Sequence, residues 1–328
     1  MVSISSRPDL ACKLNIPLFP PSTQRPASGL LILAVLTTNL KLPAYAGLRT
    51  EMVQQDSGPS LECHATEDDE NAELFSAVLS ALNGGQLPLL AKTILQQVDP
   101  HSPDTQTAPS VGDPLHGSYH VVFPLAFNSG LRWVAKIPID GTASRWNHTS
   151  ASALASEANT MRMLKRQTTI PLPDVLDFSP TTQNNMQCPY IMMAFISGVS
   201  LYNVWFGHHL NGARPEMTRA RRRRALQTIA AAMSQLDRFT FQLSGSLVFG
   251  RDETVVGIGP VRRVDHRAML DRWFVHKDPD DSPIYVEFPA FGDPKRHHTA
   301  MLDMHSEQVA KGIEMLLDPA DQLGPRAR

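Results

Sequence analysis

A carboxylate on an otherwise apolar helical stripe constrains this chain more than any other feature. Between Ser150 and Gln167, Leu154, Ala158, Met161 and Leu164 or Lys165 recur at i, i+4, i+7 and i+10 or i+11. That spacing is one face of an amphipathic helix, and Glu157 falls on the same face. Turning a charge toward a core is costly unless a cation meets it there. The nearest upstream candidate is Lys136, in the strand-like run LRWVAKIP from Leu131 to Pro138. Strand alternation puts Lys136 on the face it shares with Val134. The chain is therefore expected to bring a strand lysine against a helix glutamate.

The surroundings suit that expectation. Ser118 to Phe127 and Leu131 to Ile139 read as strands joined by Asn128-Ser129-Gly130, a hairpin signal. Leu172 to Phe178 and Tyr190 to Ile196 read as further strands, punctuated by Pro171, Pro173, Pro180 and Pro189. Earlier, Leu74, Phe75, Val78, Leu79 and Leu82 have helical spacing and end at Gly84-Gly85, before a Pro/Ser/Asp-rich loop over 99–114. Beyond Gly198 the pattern turns mostly helical, with a long segment from Thr218 to Phe239. Strands early and helices late predict an α+β protein of two lobes.

Composition narrows the classes. The 328 residues, 42% hydrophobic and 19% charged, suit a globular chain, and a net charge of −2 gives no general attraction to nucleic acid or anionic membrane. Cys12, Cys63 and Cys188 form no CxxC pair, so neither a zinc site nor a disulfide framework is expected. His208-His209 and His297-His298 with His305 fit no metal-ligand spacing and read as loop histidines. Residues 1–66 read as a disordered or targeting leader: five basic residues and one acid in the first fifty, a short apolar run at Leu30 to Leu36, and Ala44-Tyr45-Ala46 after it. The run is too short to span a bilayer. The expected location is cytoplasmic, with a mitochondrial presequence as the alternative.

Gly117-Ser118-Tyr119 opens the hairpin, where a glycine lets backbone N–H groups approach a phosphate. With these residues in order, the segments GSYHVVFPLAFNSGLRWVAKIP, SEANTMRMLKRQTTIPLPDVLDF and CPYIMMAFISGVSL resemble the amino-terminal lobe of the aminoglycoside phosphotransferase family, in particular its fungal protein-kinase-like branch. LDRFTFQLSGSLVFG and VVGIGPV are similar to a later part of the same branch. The resemblance implies a protein-kinase-like two-lobed fold, with a complete N-lobe over 67–196 and an incomplete helical C-lobe over 197–328. It implies that Gly117 and Ser118 lie over the phosphates of ATP, that Val134 walls the adenine, that Lys136 binds the phosphates and that Glu157 orients it. Met193 to Phe195 would supply the hinge backbone that bonds adenine.

The pattern then breaks. Phosphoryl transfer in such folds uses a catalytic Asp, an Asn five residues later and a metal-binding Asp further on. Asn211 is the last asparagine, and no Asp in the chain has Asn at +5. No catalytic or metal residues are therefore assigned, and Mg2+ is expected only if such a segment is supplied. The expectation is a nucleotide-binding, kinase-like protein deficient in transfer to a small-molecule or protein hydroxyl. A non-catalytic pseudokinase-like scaffold and a fragment of a longer active kinase are the alternatives. Arg219 and Arg221 to Arg224, at the start of a helix whose apolar stripe is Leu226, Ile229, Met233 and Leu236, offer a face to an acidic partner.

Overall fold

The central sheet grows outward from the hairpin. Strands β3 (His120–Ala126) and β4 (Arg132–Pro138) pair antiparallel over seven positions, from His120 opposite Pro138 to Ala126 opposite Arg132. Their turn needs a left-handed residue, supplied by Gly130 at φ +89°, whose amide donates to the Phe127 carbonyl at 3.0 Å. The computed structural model describes residues 75–117, 119–198, 215–265 and 284–317, together with Leu201, Trp205 and Ala268. The expected leader over 1–66, Ser118 and His208-His209 lie outside them.

On the far side of β4 runs β6 (Tyr190–Ala194), with β5 (Val175–Ser179) beyond it. Two short strands, β1 (Ser110–Val111) and β2 (Leu115–His116), both pair with β3. The result is a six-stranded antiparallel sheet in the order β1-β3-β4-β6-β5, with β2 also on β3. Alternation gives it two apolar faces. Val121, Phe123, Leu125, Trp133, Ala135, Ile137 and Met192 pack under helical residues 75–81 and α1 (Leu87–Val98), through Phe75, Val78, Leu87, Ala91, Ile94 and Leu95. The opposite face presents Val122, Val134, Ile191 and Met193 to Leu154, Ala158 and Met161 of α2 (His148–Gln167).

Helix α2 is well specified locally. The Asn147 side chain caps it, accepting from the Ser150 amide at 2.9 Å, and Lys165 and Arg166 sit in its last turn, where positive charge suits the helix dipole. Of the two residues left open for the end of its stripe, Leu164 is fully buried, whereas Lys165 reaches out to Asp174 at 3.2 Å. A third cluster, Met163, Leu164, Ile170, Leu172, Leu236, Phe239 and Leu247, joins the end of α2 to the segment 236–247.

The region after the sheet departs from expectation. Helices α3 (Pro215–Leu236) and α4 (Pro294–Leu317) are present, but between them lie two antiparallel pairs. These are β7 (Ser246–Phe249) with β8 (Val255–Gly259), and β9 (Val261–Val264) with β10 (Tyr285–Phe288). The mostly helical reading missed these strands because short strands without a strong alternation carry little periodic signal. Close backbone approach is their other mark: a Cβ on Gly245 would lie 2.1 Å from the Gly259 carbonyl oxygen. The chain is α+β throughout. Among the described residues no helix is long and apolar enough to cross a membrane.

Met161 is fully buried between the sheet and α2. Its truncation, Met161→Ala, is expected to destabilise the fold by about 2–5 kcal/mol. Urea unfolding should show this as a lower midpoint with an unchanged slope.

Candidate functional site

Lys136 lies opposite Val122 in the β3–β4 ladder, two residues past Val134 and on the same face. Glu157 lies one residue before Ala158 on the buried flank of α2. The two meet, with Lys136 Nζ 2.5 Å from Glu157 Oε1 and side chains only 7% and 19% exposed. That low exposure gives the pair its meaning: water and salt screen it little, and neither charge has an inexpensive alternative.

The charged neighbourhood is larger than the pair. His120 lies on the sheet face of Val122, diagonal to Lys136. Desolvation first, then the Lys136 and Arg262 charges, hold its imidazole well below the ordinary histidine value, so it is neutral near pH 7. Arg262 on β9 donates from Nη2 to Ser150 Oγ at 2.6 Å, and its guanidinium lies 3.7 Å from the centre of the Tyr285 ring. Burial lowers the Arg262 pKa, against raising contributions from Tyr285, Asp140 and Glu287. Burial likewise raises the Tyr285 hydroxyl far above its usual range. His120, Asp140, Arg262 and Tyr285 were not singled out in the sequence. The one available signal, a histidine two residues before Val122 on the lysine's face, depends on knowing the strand register.

The other expected site residues divide into two groups. Val134 and Met193 face each other across β4 and β6, both buried beside α2, on the same sheet face as Lys136. Gly117 and Phe195 lie at the edges, and their amides are committed elsewhere. The Gly117 amide donates to the His120 carbonyl at 2.9 Å, closing a tight turn instead of remaining free for a phosphate. The Phe195 amide donates to the Arg132 carbonyl at 3.0 Å, and that of Ala194 to the Asp174 carbonyl at 2.9 Å. Sheet pairing thus extends into the expected hinge, Met193 to Phe195, and engages the Ala194 and Phe195 amides. The Phe195 ring instead carries the Arg132 guanidinium at 4.1 Å.

A cavity of about 210 Å³ lies on another flank of α2, between Ser152, Ser156 and Asn159 and the strands β7 and β8; Lys136 and Glu157 do not line it. Among the described residues no group of three or more His, Cys, Asp or Glu gathers as a metal would require. His297 and His298 touch ring to ring at 5.7 Å on α4. The Cys188 thiol is buried and its pKa is pushed up to about 11, which leaves it inert.

No family model matches the chain, and no solved structure matches it. Curated fungal proteins do. The chain is 30% identical over 161 residues to altered inheritance of mitochondria protein 9, mitochondrial, of Candida albicans, covering 48% of this chain and 24% of the relative. The protein of that name from Debaryomyces hansenii is 23% identical over 207 residues, 62% of this chain and 32% of the relative. A subtelomeric hrmA-associated cluster protein of Aspergillus fumigatus is 32% identical over 99 residues, 30% of this chain and 18% of the relative. The chain thus spans between 18% and 32% of the length of these curated relatives.

Removing one member of the buried pair strands the other, so Lys136→Met is expected to cost about 3–5 kcal/mol. The double change Lys136→Met with Glu157→Leu should recover much of that loss, as chemical denaturation of the single and double variants would report. His120 carries a pH dependence of definite sign. Its folded pKa is depressed, so the unfolded chain binds the proton first, and stability falls as pH drops below about 6.5. Urea midpoints at pH 7.5 and 5.5 should show that slope in the native chain and a shallower one in His120→Gln.

Proposed function

We propose that this chain is a nucleotide-binding module of kinase-like architecture, of the aminoglycoside phosphotransferase type that its sequence resembles, and deficient in phosphoryl transfer by itself. One observation carries the reading: the shielded 2.5 Å contact between Lys136 on a sheet strand and Glu157 on the next helix. Kinase active sites use such a pair, the carboxylate steering the lysine toward nucleotide phosphates. The sheet supports the reading too. If β1 and β2 together count as one strand, then β3, β4, β5 and β6 come after it, and the antiparallel order is first-second-third-fifth-fourth. The lysine is on the third of these and the helix comes between the third and fourth.

In this reading Lys136 binds phosphate, Glu157 holds it in place, and Val134 and Met193 form an apolar wall for the base. The hinge contribution shifts away from the committed Phe195 amide. The described residues do not fit magnesium, since no carboxylate cluster gathers, and no step is routed through a metal. With no Asp followed by Asn at +5, nothing in the chain matches the usual acceptor of the substrate hydroxyl proton. Binding without efficient turnover is the consequence. The relatives named as mitochondrial proteins favour the mitochondrial location over the cytoplasmic one.

A binding role also has an observation of its own. On α3, Leu226, Ile229 and Met233 are exposed at 54%, 37% and 41%, and Arg219, Arg221, Arg223 and Arg224 lie exposed N-terminal to them. An acidic amphipathic segment would satisfy both features, so the nucleotide module would double as a scaffold.

Calorimetry with ATP tests the central reading. Binding by the native chain, weakened about tenfold or more in Lys136→Ala, is the expected outcome for loss of a charge-assisted contact. ATP turnover should stay well below the roughly 1–100 s⁻¹ of working kinases. A native chain that binds no nucleotide would remove the proposal, and kinase-like turnover would remove the deficiency.

A further inference from the structure

Helix α2, which presents Glu157, is tied near both ends by strands that come after it in the chain. Near its start, Arg262 on β9 donates from Nη2 to Ser150 Oγ at 2.6 Å, and stacking on Tyr285 holds the guanidinium in place. Toward its end, Glu253 in the β7–β8 turn accepts from two arginines one helical turn apart. Arg162 Nη1 reaches Glu253 Oε1 at 2.8 Å, and Arg166 Nη1 reaches Glu253 Oε2 at 2.5 Å. The turn is shaped for this contact. Glu253 adopts φ +58°, a left-handed conformation uncommon outside glycine, held by its own amide to the Gly250 carbonyl at 3.1 Å and by Gly250 to Thr254 at 2.9 Å. The two arginine contacts and the Arg162 charge outweigh desolvation and keep the Glu253 carboxyl below the usual carboxylate range.

Apolar packing alone leaves α2 two freedoms. Leu154, Ala158 and Met161 set its distance from the sheet, but side-chain contacts of this kind are non-directional and tolerate sliding or rotation. Each residue of an α-helix turns about 100° and rises about 1.5 Å. A modest rotation would therefore swing Glu157 off Lys136. Directional ties at Ser150, seven residues before Glu157, and at Arg162, five residues after it, remove both freedoms. A carboxylate shared by two guanidinium groups is a network, unlike the isolated surface pair that contributes little.

We propose that Arg262 and Glu253 are positioning residues for the Lys136–Glu157 pair, so that the β7–β10 segment sets whether α2 is aligned for nucleotide. The inference rests on the nucleotide reading for its consequence, though not for the clamp itself. Its test has two arms on the full chain. In the first, the rate at which an amine reagent modifies Lys136 is followed by mass spectrometry in the native chain, Arg262→Met, Glu253→Gln and Ser150→Ala, with Lys92 as the internal reference. Ser150→Ala removes only the acceptor, so it still reports if an arginine change unfolds the protein. Each variant is expected to raise Lys136 labelling several-fold over Lys92, with amide exchange of β3 and β4 unchanged.

In the second arm, affinity for a fluorescent ATP analogue is measured in the same variants, alone and combined with Glu157→Gln. The clamp variants should weaken binding roughly tenfold, within the usual range for coupled sites, and add nothing further once Glu157 is gone. Unchanged Lys136 labelling overturns the clamp whatever the nucleotide arm returns. Losses that multiply fully with Glu157→Gln overturn the positioning role. A native chain that binds no analogue, with labelling raised as expected, removes the nucleotide reading and leaves the clamp standing.

Discussion

The contact between Lys136 and Glu157 is what the rest of this structure depends on. It exists because two periodicities, two residues in a strand and 3.6 in a helix, place a cation and a carboxylate at one point between a sheet and a helix. At 2.5 Å and largely shielded, each charge satisfies the other, and each would be a liability alone. The register of β4 is bound to it. A one-residue slip would turn Lys136 into the core beneath α1 and expose Trp133, Ala135 and Ile137 to α2. The pair therefore marks one register of β4, while the ties at Ser150 and Arg162 hold α2 in the rotation that meets it.

Around the pair the protein has concentrated charge and then restrained it. His120 is kept neutral beside Lys136 and Arg262, which limits the repulsion that a third cation would add. Arg262 answers Asp140 and Glu287 in the same neighbourhood and lies over the Tyr285 ring. The proposed nucleotide reading draws on this arrangement, since cationic groups fixed in advance would favour a negatively charged ligand.

Legibility in the sequence tracked the strength of the periodic signal. The hairpin and α2 were readable because Val134, Lys136, Leu154, Glu157, Ala158 and Met161 each obey a period, and the pair emerges from asking what a buried carboxylate needs. The strands β7 to β10 were not readable as a group: with four or five residues apiece and glycines at 257 and 259, no window is long enough for alternation to emerge. Arg262 and Glu253 were invisible for a related reason. Their partners, Ser150, Arg162 and Arg166, are about a hundred residues away, and only tertiary structure brings them together. That the Gly117 and Phe195 amides are already engaged was not legible either, because whether a backbone amide is free depends on ladder details that side-chain patterns do not encode.

An acyl-phosphate derivative of ATP delivers its acyl group to a lysine that touches the phosphates, which makes it the most direct probe of this account. After treatment of the native chain, peptide mapping should find the acyl group on Lys136, with labelling suppressed by free ATP and retained in the presence of free adenosine at the same concentration. Labelling spread over exposed lysines such as Lys165, with Lys136 unmodified or indifferent to ATP, would contradict the claim that this buried pair is a phosphate anchor.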